Sequence, residues 1–425
     1  MITSTAFAGQ HYAVLGLARS GRATVDALLA SEATVTAWDD KEEARLAAPS
    51  EVTIEDFVKS DLTRFDSIVV TPGLPLNRHP IAERAREAGV EIIGDIELFS
   101  RAREGLPRHK VVGITGTNGK STTTALVHHI LKTAGVPSLM GGNIGLPILA
   151  QDPLPRGGVY VLELSSYQLD LTTSLDSDVA VLLNITPDHL DRYEGFDDYA
   201  GAKARLFAMQ SPRRLAVVDE CAEADQHVLD DAEDPVIQFI DDVDPGEQEQ
   251  WAALRGPHNR QNAAATVAVC RDLGIAEATI QHGLATFAGL SDRMERVVQK
   301  DGVLFVNDSK ATNPTATAPA LAAFPAIRWI VGGQAKSDNL DECSPHFAHV
   351  RQAYTIGDAS GLFAALLTPH MAVAECGTLD VAVKKAASDA QPGDTVLLSP
   401  ACASFDQFKD YEARGEAFRV AVEAL

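Results

Sequence analysis

Short apolar runs of β type recur along the chain, each closed by a Gly or Pro turn and followed by a stretch whose apolar positions have helical spacing. That alternation is how βαβ units around parallel sheets read, because each crossover helix must cover the face of the sheet it leaves. The first set predicts strands at residues 12–15, 33–38 and 67–70, with a helix near 23–30. A middle set predicts strands at 111–114, 160–164 and 179–184, with a helix opening at Lys120 and capped by Gly135. A third set predicts strands at 303–306, 327–331, 353–356, 372–374 and 395–398. No fixed-period repeat is present, and an α/β chain of three domains is the economical reading.

Composition narrows the class. A chain of 425 residues exceeds one ordinary core, and domains run to about 100–200 residues each. With 45% apolar and 22% charged residues it reads as globular. A net charge of −23 argues against a nucleic-acid partner, which needs clustered Lys and Arg. Residues 219–250 hold thirteen carboxylates and no Lys or Arg, the pattern of a solvated loop region. Cys221, Cys270, Cys343, Cys376 and Cys402 form no C-x-x-C pair, so a reduced protein without zinc is expected. The first residues lack a basic segment followed by an apolar run. No apolar stretch nears the roughly 20 residues that span a bilayer. A cytoplasmic monomer without a membrane span is the expectation.

The clearest chemistry lies in GITGTNGKSTTTALVHHI, residues 113–130. It misses the spacing G-x-x-x-x-G-K-[ST], because Ile114 stands where the first glycine belongs. Phosphate binding asks for less than that spacing. A strand, the small-residue turn Gly116, Thr117, Asn118 and Gly119, and then Lys120, Ser121 and Thr122 opening a helix bring backbone N–H groups and a helix dipole to one point. Lys120 adds a charge for the β and γ phosphates, and the Ser121 hydroxyl can reach Mg²⁺. An ordinary glycine-rich turn is the alternative. The earlier turn GLARSG, residues 16–21, predicts a Rossmann-type unit, but Ala18 replaces the middle glycine of G-x-G-x-x-G, leaving a purely structural turn open.

Phosphoryl transfer also needs oxygen ligands for magnesium and cations for the transferring group. Glu163, at a strand end in VLELSSYQLD, is a candidate ligand, with a solvated carboxylate as the alternative. His189 in NITPDHLDRY and Lys203 in GAKARLF read singly as structural or solvated groups. Asn259 and Asn262 in GPHNRQNAAA share a helix face and suit an adenine edge, or Asn259 caps the helix. NDSKATNP, residues 307–314, follows a strand, and its turn residues do not require Lys310.

In order, GITGTNGKST, GGNIG, ELSSYQL, NITPDHLDRY, GAK, GPHNRQNAAA, NDSKATNP and LLSPACASFDQFKDYEARG resemble the Mur ligases of bacterial peptidoglycan synthesis, over essentially the whole chain. NDSKATNP and SPACASFDQFK point to the branch that adds D-glutamate. The resemblance implies three domains: a Rossmann-like UDP-sugar-binding domain (1–98), a P-loop ATPase-like central domain (99–289) and a Rossmann-like amino-acid-binding domain (290–425). It implies substrates ATP, UDP-N-acetylmuramoyl-L-alanine and D-glutamate, and an acyl-phosphate intermediate. By resemblance, Lys120 and Ser121 hold phosphates and one magnesium. Glu163 and His189 attend a second, and Lys203 is carbamylated to become an oxygen ligand. Asn259, Asn262, Arg293 and Asp308 contact the nucleotide, and Lys310 lies near the transferring phosphoryl group. Arg19, Ser20, Asp39, Asp40, Lys41, Thr71, Pro72, Gly73, Asn143 and His189 match the UDP-sugar site. Thr312, Lys336, Ser404, Phe405 and Tyr411 match the amino-acid pocket.

The chain departs from the family pattern at GGQAK, residues 332–336, where Gln334 replaces a carboxylate, and at Phe405 and Tyr411. These changes bear on amino-acid selection. A sibling ligase adding another amino acid or enantiomer, with the same ATP machinery, is the alternative.

Overall fold

The computed structural model describes residues 1–425 apart from 187, 189–191, 220–233, 235 and 241–242. The first set of apolar runs forms a parallel sheet of β1 (His11–Leu15), β2 (Thr34–Trp38), β3 (Thr53–Ile54), β4 (Ser67–Val70) and β5 (Glu91–Ile93), in the order β3-β2-β1-β4-β5. The order reverses between β1 and β4, which opens a crevice at their carboxyl ends, where Gly16 and Thr71 follow.

The second sheet contains β6 (Lys110–Thr115), β7 (Ser138–Gly142), β8 (Val159–Glu163), β9 (Val179–Leu182), β10 (Leu215–Val218) and β11 (Val236–Phe239). Its order is β11-β10-β9-β6-β8-β7, all parallel, so the chain switches direction around β6. Strands β8, β9 and β10 are buried along their whole length, as expected of parallel strands covered on both faces. One apolar cluster joins Val14 and Val35 of the first sheet to Tyr160 and Leu182 of the second through Ile96 and Phe99 of the helix Asp95–Ala102. Burial of each such large side chain contributes roughly 1.5–3 kcal/mol.

The third sheet holds β12 (Glu295–Lys300), β13 (Val303–Asn307), β14 (Ile327–Gly332), β15 (Val350–Ile356), β16 (Ala372–Gly377) and β17 (Thr395–Leu398). Its order is β12-β13-β17-β14-β15-β16, with β12 antiparallel to β13 and the other pairs parallel. The chain forms two compact units, Met1–Val243 with Gln261–Leu284 and Asp244–Arg260 with Ala285–Leu425. The first holds the first two sheets and the second holds the third.

The acidic segment is not loop throughout. Val236–Phe239 pairs in parallel with β10, Leu215 opposite Val236, as a partly exposed edge strand. Residues 220–233 of that segment lie outside the described residues. Among the described residues no helix is long and apolar enough to cross a membrane.

Candidate active site

The loop after β6 turns at Gly116 and Gly119 into the helix Lys120–Thr133. Gly119 has φ +85°, and a Cβ there would stand 2.1 Å from Asn262 Oδ1, so the position needs glycine for conformation and for space. The loop is held from the β9 side. Asn184 O accepts from Thr117 N (2.8 Å) and Asn184 Oδ1 from Asn118 N (2.8 Å), while Asn184 Nδ2 donates to Asn118 O (3.1 Å). Thr122 sits half-buried on the first turn. A fixed loop costs little reorganisation when an anion binds.

Two ammonium groups converge on one carbonyl. Lys120 Nζ donates to Gly116 O (2.8 Å) and Thr117 O (2.8 Å), and Lys203 Nζ donates to Gly116 O (2.9 Å). Lys203, on the helix Phe196–Ala208, is 1% exposed and lies over the Tyr199 ring at 4.5 Å. Burial, with repulsion from Lys120 added, holds its ammonium well below the usual lysine value. The Tyr199 hydroxyl in turn lies 3.1 Å from Thr117 Oγ1. Such a cluster suits a phosphate, and it leaves Lys203 inclined to the neutral amine.

At the end of β8, Glu163 accepts from Ser121 Oγ at Oε2 (2.5 Å) and from Asn143 Nδ2 at Oε1 (2.9 Å). Close approach of β7 makes this possible, since a Cβ on Gly142 would stand 2.1 Å from Glu163 O. Hydroxyl and carboxylate oxygens are the donors magnesium takes, usually with substrate phosphates completing its shell. Among the described residues no three His, Cys, Asp or Glu gather as a metal-binding group. His189 lies outside the described residues.

A cleft of about 370 Å³ in the same unit is lined by Arg19, Ser20, Thr71, Pro72, Gly73 and Asn143, all expected from the sequence. Asp39, Asp40 and Lys41 do not line it. Asp39 instead accepts from Leu17 N (2.6 Å) and Lys41 N (2.9 Å), fixing the loop after β1. Asp95 and Gln168 also line the cleft and were not anticipated.

In the second unit, site candidates gather on loops after β13, β14 and β17. Asp308 accepts from Met294 N at Oδ1 (3.1 Å) and from Ser399 Oγ at Oδ2 (2.7 Å), and burial pushes its carboxyl up to about 7. Lys310 Nζ lies 4.0 Å from the centre of the Tyr411 ring. Gln334 and Ala403 exchange backbone hydrogen bonds (2.9 and 3.0 Å), which ties the Lys336 loop to the loop of buried Ser404. Arg293 carries the turn before β12, Thr312 is half-buried, and Lys336 and Phe405 are exposed. Asn259 does not cap its helix. It lies inside Pro257–Asp272 and its Nδ2 donates to Arg255 O (3.1 Å).

Arg414, also not anticipated, binds the loop after β13 to the loop after β17. It is 1% exposed, and its guanidinium donates to Ser309 Oγ (2.9 Å), Ser309 O (2.8 Å), Cys402 O (3.0 Å) and Ala403 O (3.3 Å). Burial lowers it to about 10. In sequence it is one arginine on a mixed helix, and only its depth sets it apart.

Comparison with known proteins agrees over the full length. Profiles described as Mur ligase MurD-like N-terminal domain, Mur ligase middle domain, and Mur ligase glutamate ligase domain match residues 10–94, 114–252 and 292–402. The UDP-N-acetylmuramoylalanine–D-glutamate ligase of Novosphingobium aromaticivorans is 61% identical, covering 100% of this chain and 97% of that protein. Its namesake in Zymomonas mobilis is 56% identical, with 100% of both covered. Among solved structures, a MurF ligase of Thermotoga maritima in complex with ADP superposes with TM-score 0.62 at 18% identity, covering 98% of this chain and 96% of that one. The UDP-N-acetylmuramate–alanine ligase of the same organism superposes with TM-score 0.60 at 16% identity, covering 98% and 99%. At those identities the structural likeness concerns the fold.

Proposed function

The chain belongs to the Mur ligase family, in its D-glutamate-adding branch, and from that premise we propose how its residues share the work of the reaction. The enzyme joins D-glutamate to UDP-N-acetylmuramoyl-L-alanine in an ATP-dependent step of peptidoglycan synthesis. The observation that most supports the division of roles is the meeting of the Gly116–Ser121 loop, Glu163, Lys120 and Lys203 in one unit.

A carboxylate is a poor electrophile at neutral pH, so it must acquire a leaving group. The L-alanyl carboxylate attacks the γ-phosphorus of ATP, the bond to the bridging oxygen breaks, and ADP and an acyl phosphate result. The amine of D-glutamate then attacks the acyl carbon, a proton is lost from nitrogen, and phosphate leaves as the amide forms. Lys120, Ser121 and the loop N–H groups hold the nucleotide phosphates. Ser121, Glu163, His189 and Lys203 would hold up to two magnesium ions, which supply charge neutralisation when bound.

The inclination of Lys203 towards the neutral amine supports carbamylation, because the neutral amine is the form that adds carbon dioxide. The carbamate would turn a cation into an oxygen ligand. Asn259, Asn262, Arg293 and Asp308 contact the nucleotide in this reading, and Lys310 faces the transferring group. Arg19, Ser20, Thr71, Pro72, Gly73 and Asn143 take the UDP-sugar, and Thr312, Lys336, Ser404, Phe405 and Tyr411 take glutamate. Domains 1–98, 99–289 and 290–425, a monomeric state and a cytoplasmic location complete the proposal.

Hydroxylamine tests the acyl phosphate directly. With ATP and UDP-N-acetylmuramoyl-L-alanine but no D-glutamate, the enzyme should form the alanyl hydroxamate in proportion to ADP. Turnover in the full reaction with no hydroxamate at any hydroxylamine concentration would contradict the intermediate.

A further inference from the structure

We propose that Asp95 is a recognition residue of the sugar-nucleotide cleft, its carboxylate accepting a hydrogen bond from a hydroxyl or amide N–H of the ligand. The proposal rests on assigning that cleft to UDP-N-acetylmuramoyl-L-alanine.

Asp95 opens the helix Asp95–Ala102 directly after β5 and Gly94, at the carboxyl edge of the first sheet. It is 5% exposed and lines the cleft with Ser20, Thr71, Asn143 and Gln168. Its Oδ1 has no hydrogen-bond partner. A buried acceptor left unmet costs about 1–3 kcal/mol, and such groups call for a reason.

Glu97, two residues on, shows that this helix can satisfy a buried carboxylate in full. Its oxygens accept from Thr173 N (2.8 Å), Ser174 N (3.0 Å), Ser174 Oγ (2.9 Å) and Arg101 Nε (2.9 Å). Asp95 Oδ1 has no such partner, and it belongs to a carboxyl group that lines the cleft. A sugar nucleotide carries hydroxyl and amide donors that suit it.

Burial pushes the Asp95 carboxyl up to about 6, against the Asp95 and Ile96 N–H groups and the Gln168 amide, which pull it down. The charged group sharing the cleft is Arg19. Arg22 and Asp26, further along the packed helix Arg19–Ala30, pair with each other, and Glu97 on Asp95's own helix is engaged as above. Asn143 and Gln168 across the cleft are neutral. Ionisation of Asp95 therefore strengthens its acceptor, and ligand affinity should rise with pH through about 6.

Calorimetric titration of the full chain with UDP-N-acetylmuramoyl-L-alanine tests this. Asp95→Asn and Asp95→Ala should each weaken binding about tenfold with ATP affinity unchanged. The rise in wild-type affinity between about pH 5 and pH 8 should flatten in both variants. A carboxyl-detected NMR titration of wild type supplies a check that needs no variant: bound ligand should lower the Asp95 pKa. Variants that bind as wild type does, or an Asp95 titration unmoved by ligand, would overturn the proposal and leave the cleft assignment standing. A wild-type protein that does not bind the sugar nucleotide would overturn both.

Discussion

Lys203 carries the sharpest residue-scale consequence, because its depth and the nearby Lys120 both disfavour its charge. Lys203→Ala should slow ligation by about 100-fold or more, as loss of a preorganised electrostatic group does. A short-chain carboxylic acid should restore part of the rate by standing in for the carbamate. Full activity of the variant without added acid would contradict the role, and initial-rate assays decide it. Asp308 makes a stability prediction. Its folded carboxyl is raised from 3.8 to about 7 by burial, so the native state holds a proton the unfolded chain releases. Stability contributed by that proton is present below the unfolded value and is lost as pH rises through the folded one. Thermal melts of wild type should therefore fall between about pH 4 and pH 7 more steeply than those of Asp308→Asn.

At the scale of elements, Arg414 ties the loop after β13 to the loop after β17 beyond the ends of those paired strands, so its removal should act on both fold and pocket. Arg414→Met leaves buried carbonyl groups unmet and should cost about 2–4 kcal/mol in urea unfolding. It should also raise KM for D-glutamate while leaving KM for the sugar nucleotide near its wild-type value. Equal changes in both constants would point to general loosening. Most strands were legible because their apolar runs are continuous and bounded by turns, as in β4 and β17. Others were hidden for physical reasons. Ser138–Gly142 ends in two glycines that read as a turn, yet it is a strand because Gly142 packs on the Glu163 backbone. Glu295–Lys300 is a mostly exposed antiparallel edge, and Thr53–Ile54 is a strand only through its pairing with Thr36 and Ala37. The strand, glycine turn and helix around residues 110–133 were legible despite Ile114, because that local geometry does not depend on one glycine spacing. Asp95 and Arg414 were not, since burial and orphaned polar atoms have no signature in sequence.

For the whole molecule, a net charge of −23 contrasts with substrates that are themselves anionic. In the proposed reading the cations set against those substrates are Lys120 in one unit and Lys310 and Lys336 in the other. Gln334 in place of a carboxylate bears directly on amino-acid choice. Phosphate release from ATP by the full chain, with UDP-N-acetylmuramoyl-L-alanine present, compares D-glutamate, L-glutamate and no amino acid in one assay. Release with D-glutamate should exceed the other two by about 100-fold or more. An equal or faster rate with L-glutamate, or release that does not need the sugar nucleotide, would contradict the central claim.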